Sequence, residues 1–445
     1  MKMKIYELKC KVKELIKYDL PLVQYPLVIL LALQAIFFYK TKKILLSVEL
    51  ASIIHRSNWS GSESIAIKIV QRIFFNDKNA HKNKKIFMKQ LVKSIERKKN
   101  TEKFFEDPDL LFDGTCIFLK SYKKGQKGVL LIKYSYYFPL LFKFYDMQAM
   151  SKQYHIILEP SWAGICEPGI LAYTTLDEPV FVMAYEERDA RFLDKISTNL
   201  KAVSIGANWW VDHRNFRPAV EEAKNIDVIV ISSWADFKRH YRIFVALRKV
   251  KKHYPNLRVA LVGYNTSMTL DDIRAQAKYY GVEDLIEFHH KIPTNEVGDL
   301  LRRSKINLLW SRFEGSPRTI IEGMFSNVPC IIRHGFNYGM KYPFINSKTG
   351  IWSKESSLAD NIMYMMENYQ NFSPREYVMQ NHTCFLATEI LENTINEHYS
   401  NENQEPLRDL AVKINLLDHM TYFESSDRTL FESDISGVRS MRLPA

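Results

Sequence analysis

The sequence predicts an α/β protein of two doubly wound, parallel-sheet domains behind a basic and apolar N-terminal extension. Three observations predict it. At 445 residues the chain exceeds what one hydrophobic core usually organises. Short apolar runs alternate with stretches of helical periodicity over most of its length, and such alternation demands a parallel sheet flanked by helices. Residues 311–332, SRFEGSPRTIIEGMFSNVPCII, read as a strand end, a turn, a helix and the next strand in immediate succession.

The extension comes first, as residues 1–42. Residues 1–17 carry six lysines, and residues 27–39 (LVILLALQAIFFY) are almost wholly apolar before Lys40, Lys42 and Lys43. Thirteen residues are too few to span a bilayer comfortably, and Pro21, Gln24 and Pro26 interrupt the run on its left. A re-entrant or interfacial anchor is the expectation, with a signal peptide and a buried helix as alternatives.

The first domain is expected over residues 43–217. Residues 43–49 read as its first strand, 57–64 as a polar loop around Gly61, and 65–75 as a helix. Strands are expected at 128–132, 154–158, 180–184 and 201–205. The second domain, residues 218–400, reads as strand 226–232, helix 241–253, strand 258–263 and helix 270–280, then strands 285–288 and 306–310. Residues 401–445 are a polar tail without clear pattern.

Composition narrows the function. A hydrophobic content of 46% with 25% charged residues is that of a folded protein and excludes global disorder. Five cysteines without CxxC or Cys/His clustering argue against a disulfide framework and a structural zinc site, and point to a reducing cytoplasm. The net charge of +12 is unevenly placed, since ten of the 26 residues from 78 to 103 are Lys or Arg. Ile86, Phe87, Leu91, Val92 and Ile95 recur there at helical spacing. That run reads as a solvated helix face or a surface drawn to anionic lipid, and a nucleic-acid patch ranks last because no binding motif accompanies the charge.

The chemistry sits in residues 306–332. After the apolar strand, Glu314-Gly315-Ser316 is a turn, Ser316 an N-cap and Pro317 the first helical residue. The free N–H groups of the next turn, with Thr319 in it, face the strand's carboxyl end and make a phosphate site, and Arg318 adds a fixed positive charge. Glu322 lies about 6 Å further along the helix axis. A nucleoside diphosphate sugar fits this spacing: pyrophosphate at the helix end, ribose hydroxyls on Glu322, sugar hydroxyls on Glu314. The plain alternative pairs Glu322 with Arg318 one turn back and leaves Glu314 capping a loop.

The segment resembles the Glu-x7-Glu signature of the group 1 retaining glycosyltransferases, through the preceding strand, the Glu-Gly-Ser-Pro turn, Glu322-Gly323-Met324 and the turn Asn327-Val328-Pro329. The likeness covers roughly residues 201–369 and reaches the first 150 residues only by architecture. It implies the GT-B fold, two Rossmann-like domains facing across a cleft, with the boundary near Asp212, Phe216 and Pro218. It implies a catalytic set of Glu314, Lys238 and Glu159. It also implies a donor-binding set of Glu322, Arg318, Thr319, Gly315, Ser316, Pro317, Arg239, Gly61 and Lys291. Two departures stand out: Ser233 occupies the family's phosphate-binding Arg position, with Arg239 or Arg318 as replacements, and Glu159, or less so His155, stands where the family often has a His. His289 and His290 precede Lys291 where the family contacts the base, or else they merely finish a strand. The expected partners are a nucleotide-sugar donor, a glycan or lipid-linked acceptor and an anionic membrane at its cytoplasmic face, with no metal, no other cofactor and no nucleic acid. The rivals are a sugar-nucleotide epimerase of the same fold and a catalytically inactive membrane-associated relative.

Overall fold

Most strands form where short apolar runs are buried on both faces, and helices form where apolar residues recur three and four apart. The computed structural model describes residues 2–95, 101–196, 199–219, 224–335, 342–400, 405–416 and 419–444. Met1, residues 96–100 of the basic run and residues 401–404 of the tail lie outside the described residues. The chain divides into two compact units, one of residues 16–210 with 384–445, the other of residues 1–15 with 211–383.

The first unit is built on a five-stranded sheet of β1 (Cys116–Lys120), β2 (Gly128–Lys133), β3 (Tyr154–Glu159), β4 (Val180–Met183) and β5 (Leu200–Val203), side by side in chain order. β1 pairs antiparallel with β2, and β2 to β5 are parallel. The four parallel strands match the four expected runs within one or two residues. The expected strand at 43–49 is instead the start of a helix, Ile44–Ser57, because Ile44, Leu45, Val48, Ala51, Ile54 and His55 bury one helical face. Short apolar runs cannot separate strand from helix by themselves; here the periodicity continues for fourteen residues, and it decides. Gly61 therefore lies between this helix and the next, Ser62–Gln71, with φ +77°, rather than in a loop after a strand.

The apolar run near the N-terminus is also longer than expected. Residues Pro21–Lys40 form one helix of 20 residues, long and apolar enough to cross a membrane by length and composition. Pro21 sits in its first turn, where no N–H is needed, and Pro26 is tolerated inside it. Val28, Ala35 and Tyr39 pack inward, and Leu22, Tyr25, Ile29, Leu30, Leu33 and Phe37 form an exposed face. The basic run becomes the helix Ala80–Ser94, which buries Phe87 and Leu91. Its lysines at 82, 85, 89 and 93 are exposed, whereas Lys84 donates to the Thr174 carbonyl at 2.9 Å.

The second unit holds β6 (Ile226–Ile231), β7 (Val259–Gly263), β8 (Ile286–His290), β9 (Ser304–Leu309), β10 (Cys330–Arg333) and β11 (Gly350–Ser353). All are parallel, in the order β11-β10-β9-β6-β7-β8. The helices His240–Lys251 and Leu270–Tyr280 alternate with them as expected, the second opening on a capping box of Thr269 and Asp272.

The unit boundaries differ from the expected domains. Residues 1–15 pack with the second unit, so the N-terminal 42 residues are not one extension. Residues 384–400 and the expected tail belong to the first unit. The helix Cys384–His398 buries Ala387, Leu391 and Ile395, and β12 (Lys413–Asn415) pairs antiparallel with β13 (Met420–Tyr422). Tyr422 donates to the Phe118 carbonyl at 2.7 Å, and Asp434 accepts from Tyr154 at 2.8 Å. Strands of three residues with partners some 300 positions away leave no local pattern to read.

A buried ion pair fastens this return. Lys413 lies 2.6 Å from Glu159 at the end of β3, and Asn415 donates to the other carboxylate oxygen at 2.6 Å. Burial pushes the Glu159 carboxyl up, but Lys413 and then Lys133 override it and hold it below the ordinary value. A depressed carboxylate stabilises the fold above the unfolded value of about 4.3 and loses that contribution as pH falls through the folded one. In Lys413→Met the chief counter-charge is gone, the carboxyl rises, and stability is instead lost as pH rises. The variant should be destabilised by about 3 to 5 kcal/mol near neutrality, and the gap to the wild type should narrow in acid. Denaturant melts at two pH values would show it; a gap independent of pH would refute the account.

Candidate active site

The second sheet places a crevice before any side chain is considered. From β6 the chain steps outward through β7 and β8, then returns to the other side of β6 for β9, β10 and β11. The loops after β6 and β9 therefore diverge to opposite sides, and ligands of open parallel sheets bind at the carboxyl ends of such a pair.

Both loops are stitched together there. The Arg312 N–H donates to the Phe237 carbonyl at 2.7 Å, and the Phe237 and Phe313 rings stack at 4.6 Å, 9° from parallel. Lys238, at the end of a short 3-10 turn after β6, bonds the Glu314 carboxylate at 2.5 Å. Their side chains are 14% and 9% exposed, enough to be reached but mostly out of water. Two residues 76 positions apart in sequence, both expected in the site, thus meet at the switch point.

The helix after β9 runs Arg318–Phe325. Pro317 occupies the N-cap position where Ser316 was expected, and it offers no side-chain bond to the first turn. Its seat is fixed by Asn307 of β9, whose side chain donates to the Thr319 carbonyl at 2.7 Å. A side chain at Gly323 would come within 2.5 Å of that amide, so glycine is required beside Glu322. Glu322 is half-buried, and burial pushes its carboxyl up against the opposing pull of Arg318. Arg318 lies one turn back on the same helix, near enough for its charge to act on Glu322. Gly315, Ser316, Arg318 and Thr319 are partly exposed around the helix start.

Other expected residues fall elsewhere. Arg239 is 3% exposed, in a left-handed conformation with φ +59°, and its charge is already met by Glu14 at 3.0 Å and Glu355 at 2.9 Å. It does not offer the unspent charge that Ser233 lacks. Lys291 follows β8, two strands from β6, with its N–H on the Gly263 carbonyl at 2.8 Å and its side chain in water. His290 stacks on the buried Trp234 at 4.9 Å, and His289 lies 3.2 Å from Glu287. Gly61 and Glu159 belong to the first unit, where Glu159 is 1% exposed with both oxygens engaged by Lys413 and Asn415. A locked structural carboxylate cannot serve as a catalytic one. His155 is buried against Tyr399 and pushed down to about 3 by burial, so it stays neutral.

Sequence reasoning missed three features. Arg312 follows β9 and Arg333 ends β10, where burial first, and then the charges of Arg239 and Arg312, lower Arg333 to about 10. The signal was a basic residue just past each of two apolar runs. In the first unit a cavity of about 510 Å³ opens among Glu49, Ser52, Arg56, Tyr136, Trp162 and Glu167. Beyond β4, Asp189 accepts from the Gly164 and Ile165 N–H groups at 2.7 and 3.2 Å, which fixes the loop behind Trp162. Beside it Glu186 is pushed up to about 8 by burial first and Asp189 second.

The comparisons bear on the second unit. Residues 212–382 match the model of the family Glycosyl transferases group 1, nearly the whole of segment 211–383 and 38% of the chain. No curated protein matches. Among solved structures the chain is similar to sucrose-phosphate synthase from Thermosynechococcus elongatus, at 12% identity over 61% of this chain and 74% of that one, TM-score 0.48. It is similar to TarM of S. aureus at 16% identity over 60% of this chain and 53% of that one, TM-score 0.46. HepE of Anabaena, solved with UDP-glucose, is 13% identical over 61% of this chain and 78% of that one, TM-score 0.46. Residues 212–382 are thus a domain of the group 1 glycosyltransferase family.

Proposed function

We propose that the chain transfers a sugar, with retention, from a nucleoside diphosphate sugar to a glycan or lipid-linked acceptor at the cytoplasmic face of a membrane. The observation that carries this reading is the Lys238–Glu314 pair at the switch point of the second sheet, with Glu322 on the helix that starts there. The diphosphate takes the N–H groups of the Arg318–Phe325 helix and the Lys238 ammonium, Glu322 takes a ribose hydroxyl, and Glu314 takes the sugar. As the glycosidic bond breaks through an oxocarbenium-like state, charge grows on the departing diphosphate. Lys238, Arg318 and the helix N-terminus meet that charge in this reading, without a metal ion or other cofactor. The cavity beside Trp162 in the first unit suits the acceptor, because it offers an exposed aromatic face and carboxylates to a polyhydroxylated molecule. HepE and the pneumococcal GtfA were solved with UDP and a sugar, which is consistent with this donor class.

A second reading, an inactive relative, rests on Ser233 and on the neutralised Arg239. Release of free nucleoside diphosphate from a donor by the purified protein would exclude it.

Membrane attachment is supported by the exposed apolar face of the helix Pro21–Lys40 and by the lysine stripe at 82, 85, 89 and 93. Basic residues near an anionic surface contribute about 1 kcal/mol each. Leu30, Leu33 and Phe37 changed to Ser, with the four lysines changed to Glu, should weaken flotation with anionic vesicles. These positions are exposed, so the fold is spared, and flotation equal to wild type would refute the attachment.

Lys238→Ala should weaken nucleoside diphosphate binding and turnover together, since the ammonium bonds the donor in ground and transition states alike. Calorimetry with UDP and GDP is the check, and unchanged affinity for both would remove Lys238 from the site.

The two glutamates should separate. Glu322→Gln should cost about 1.5 to 3 kcal/mol of diphosphate affinity through the ribose, whereas Glu314→Gln should leave the diphosphate bound and slow transfer from the intact donor. Equal loss of diphosphate affinity in both folded variants would contradict the assignment.

A further inference from the structure

The N-terminal helix, Lys2–Glu14, presents two faces of opposite character. At about 100° per residue, Tyr6, Glu7, Cys10 and Glu14 fall on one side and Ile5, Leu8, Val12 and the following Leu15 on the other. The first set docks on the unit that holds the candidate active site. Tyr6 and Cys10 pack against its core, and Tyr6 donates to Asp236 at 3.0 Å. Tyr280 donates to Glu7 at 3.2 Å, and Glu14 takes a two-pronged bond from Arg239, both prongs 3.0 Å, and a third from Tyr241 at 3.1 Å.

The second set is left in water. Ile5, Leu8, Val12 and Leu15 are 45%, 62%, 45% and 46% exposed. Lys9 and Lys13 flank this stripe on one side and Lys4 and Lys11 on the other, all exposed. Glu7 and Glu14 lie toward the docked side, where Lys11 reaches Glu7 at 2.6 Å and Lys13 comes within 3.8 Å of Asp236, and the outer face itself carries apolar and positive side chains. An apolar stripe between two rows of lysines is the pattern of a helix lying in a headgroup region, where the stripe enters the acyl boundary and the ammonium groups reach lipid phosphates.

We propose that the helix Lys2–Glu14 is an interfacial helix through which the candidate donor-binding unit itself lies on an anionic bilayer. The inference rests on the membrane reading above but concerns a different surface on a different unit. The inward bond from Glu14 to Arg239 is already made while the stripe is exposed, so bilayer binding requires no undocking. The helix joins the unit to the lipid as a rigid strut.

The test places an environment-sensitive nitrobenzoxadiazole label at Leu8→Cys in full-length protein with Cys10→Ser; the other four cysteines are buried. A label at Lys252→Cys, an exposed position on the same unit, is the reference. With phosphatidylcholine vesicles containing phosphatidylglycerol, emission from position 8 should shift to the blue and brighten, and pure phosphatidylcholine should produce little of either. Position 252 should not respond. Equal behaviour at both positions would overturn the inference, as would a blue shift that grows with protein concentration in the absence of vesicles, which would assign the stripe to a second copy of the chain. Flotation without a shift at position 8 overturns this inference alone. A shift at position 8 in protein whose flotation ignores the Leu30, Leu33 and Phe37 substitutions overturns the earlier attachment alone.

Discussion

The reversal of winding beside β6 is the constraint on which the site depends. A parallel sheet needs a crossover after every strand, and a chain that winds outward from β6 and then returns to its other side must separate a pair of loops at one end of the sheet. Everything placed at the site comes from those loops. Lys238 comes from the loop after β6, Glu314 from the loop after β9, and the Phe237–Phe313 stack holds the pair together. Asn307 inside β9 then fixes the depth of the following helix through Thr319, and the missing side chain of Gly323 lets that helix come close enough. Glu322 is positioned by this packing.

The first unit is held by a different device. Its parallel strands run in chain order, and the chain returns to it after a long excursion through the second unit. The pair of Lys413 with Glu159 is formed on that return, at 0% and 2% side-chain exposure. Such a pair contributes little net stability when intact, because desolvation offsets its attraction, but a broken one leaves a buried charge. It therefore discriminates against structures in which the C-terminal segment packs elsewhere.

Charge on the second unit is arranged in the same spirit. Arg239, Arg312 and Arg333 gather at the ends of β6, β9 and β10, where like charges would repel across a low dielectric. Glu14 and Glu355 sit among them. The N-terminal helix is thus integral to that unit, and its outer face is free for another partner.

The sequence by itself determined the α/β class, most of the parallel strands of both units and the helix after β9, while the family resemblance put Lys238 and Glu314 in one site. The class, the strands and that helix follow from periodicity within a dozen residues and from the local rule that a helix after a buried strand presents its N–H groups at the strand's carboxyl end. Tertiary structure alone decided that residues 44–57 are helical, that Glu159 is locked by Lys413, that Arg239 is neutralised by Glu14, and that residues 384–445 return to the first unit. Each of these outcomes depends on partners distant in sequence, and burial against them fixes a conformation or a charge state that local propensity leaves open.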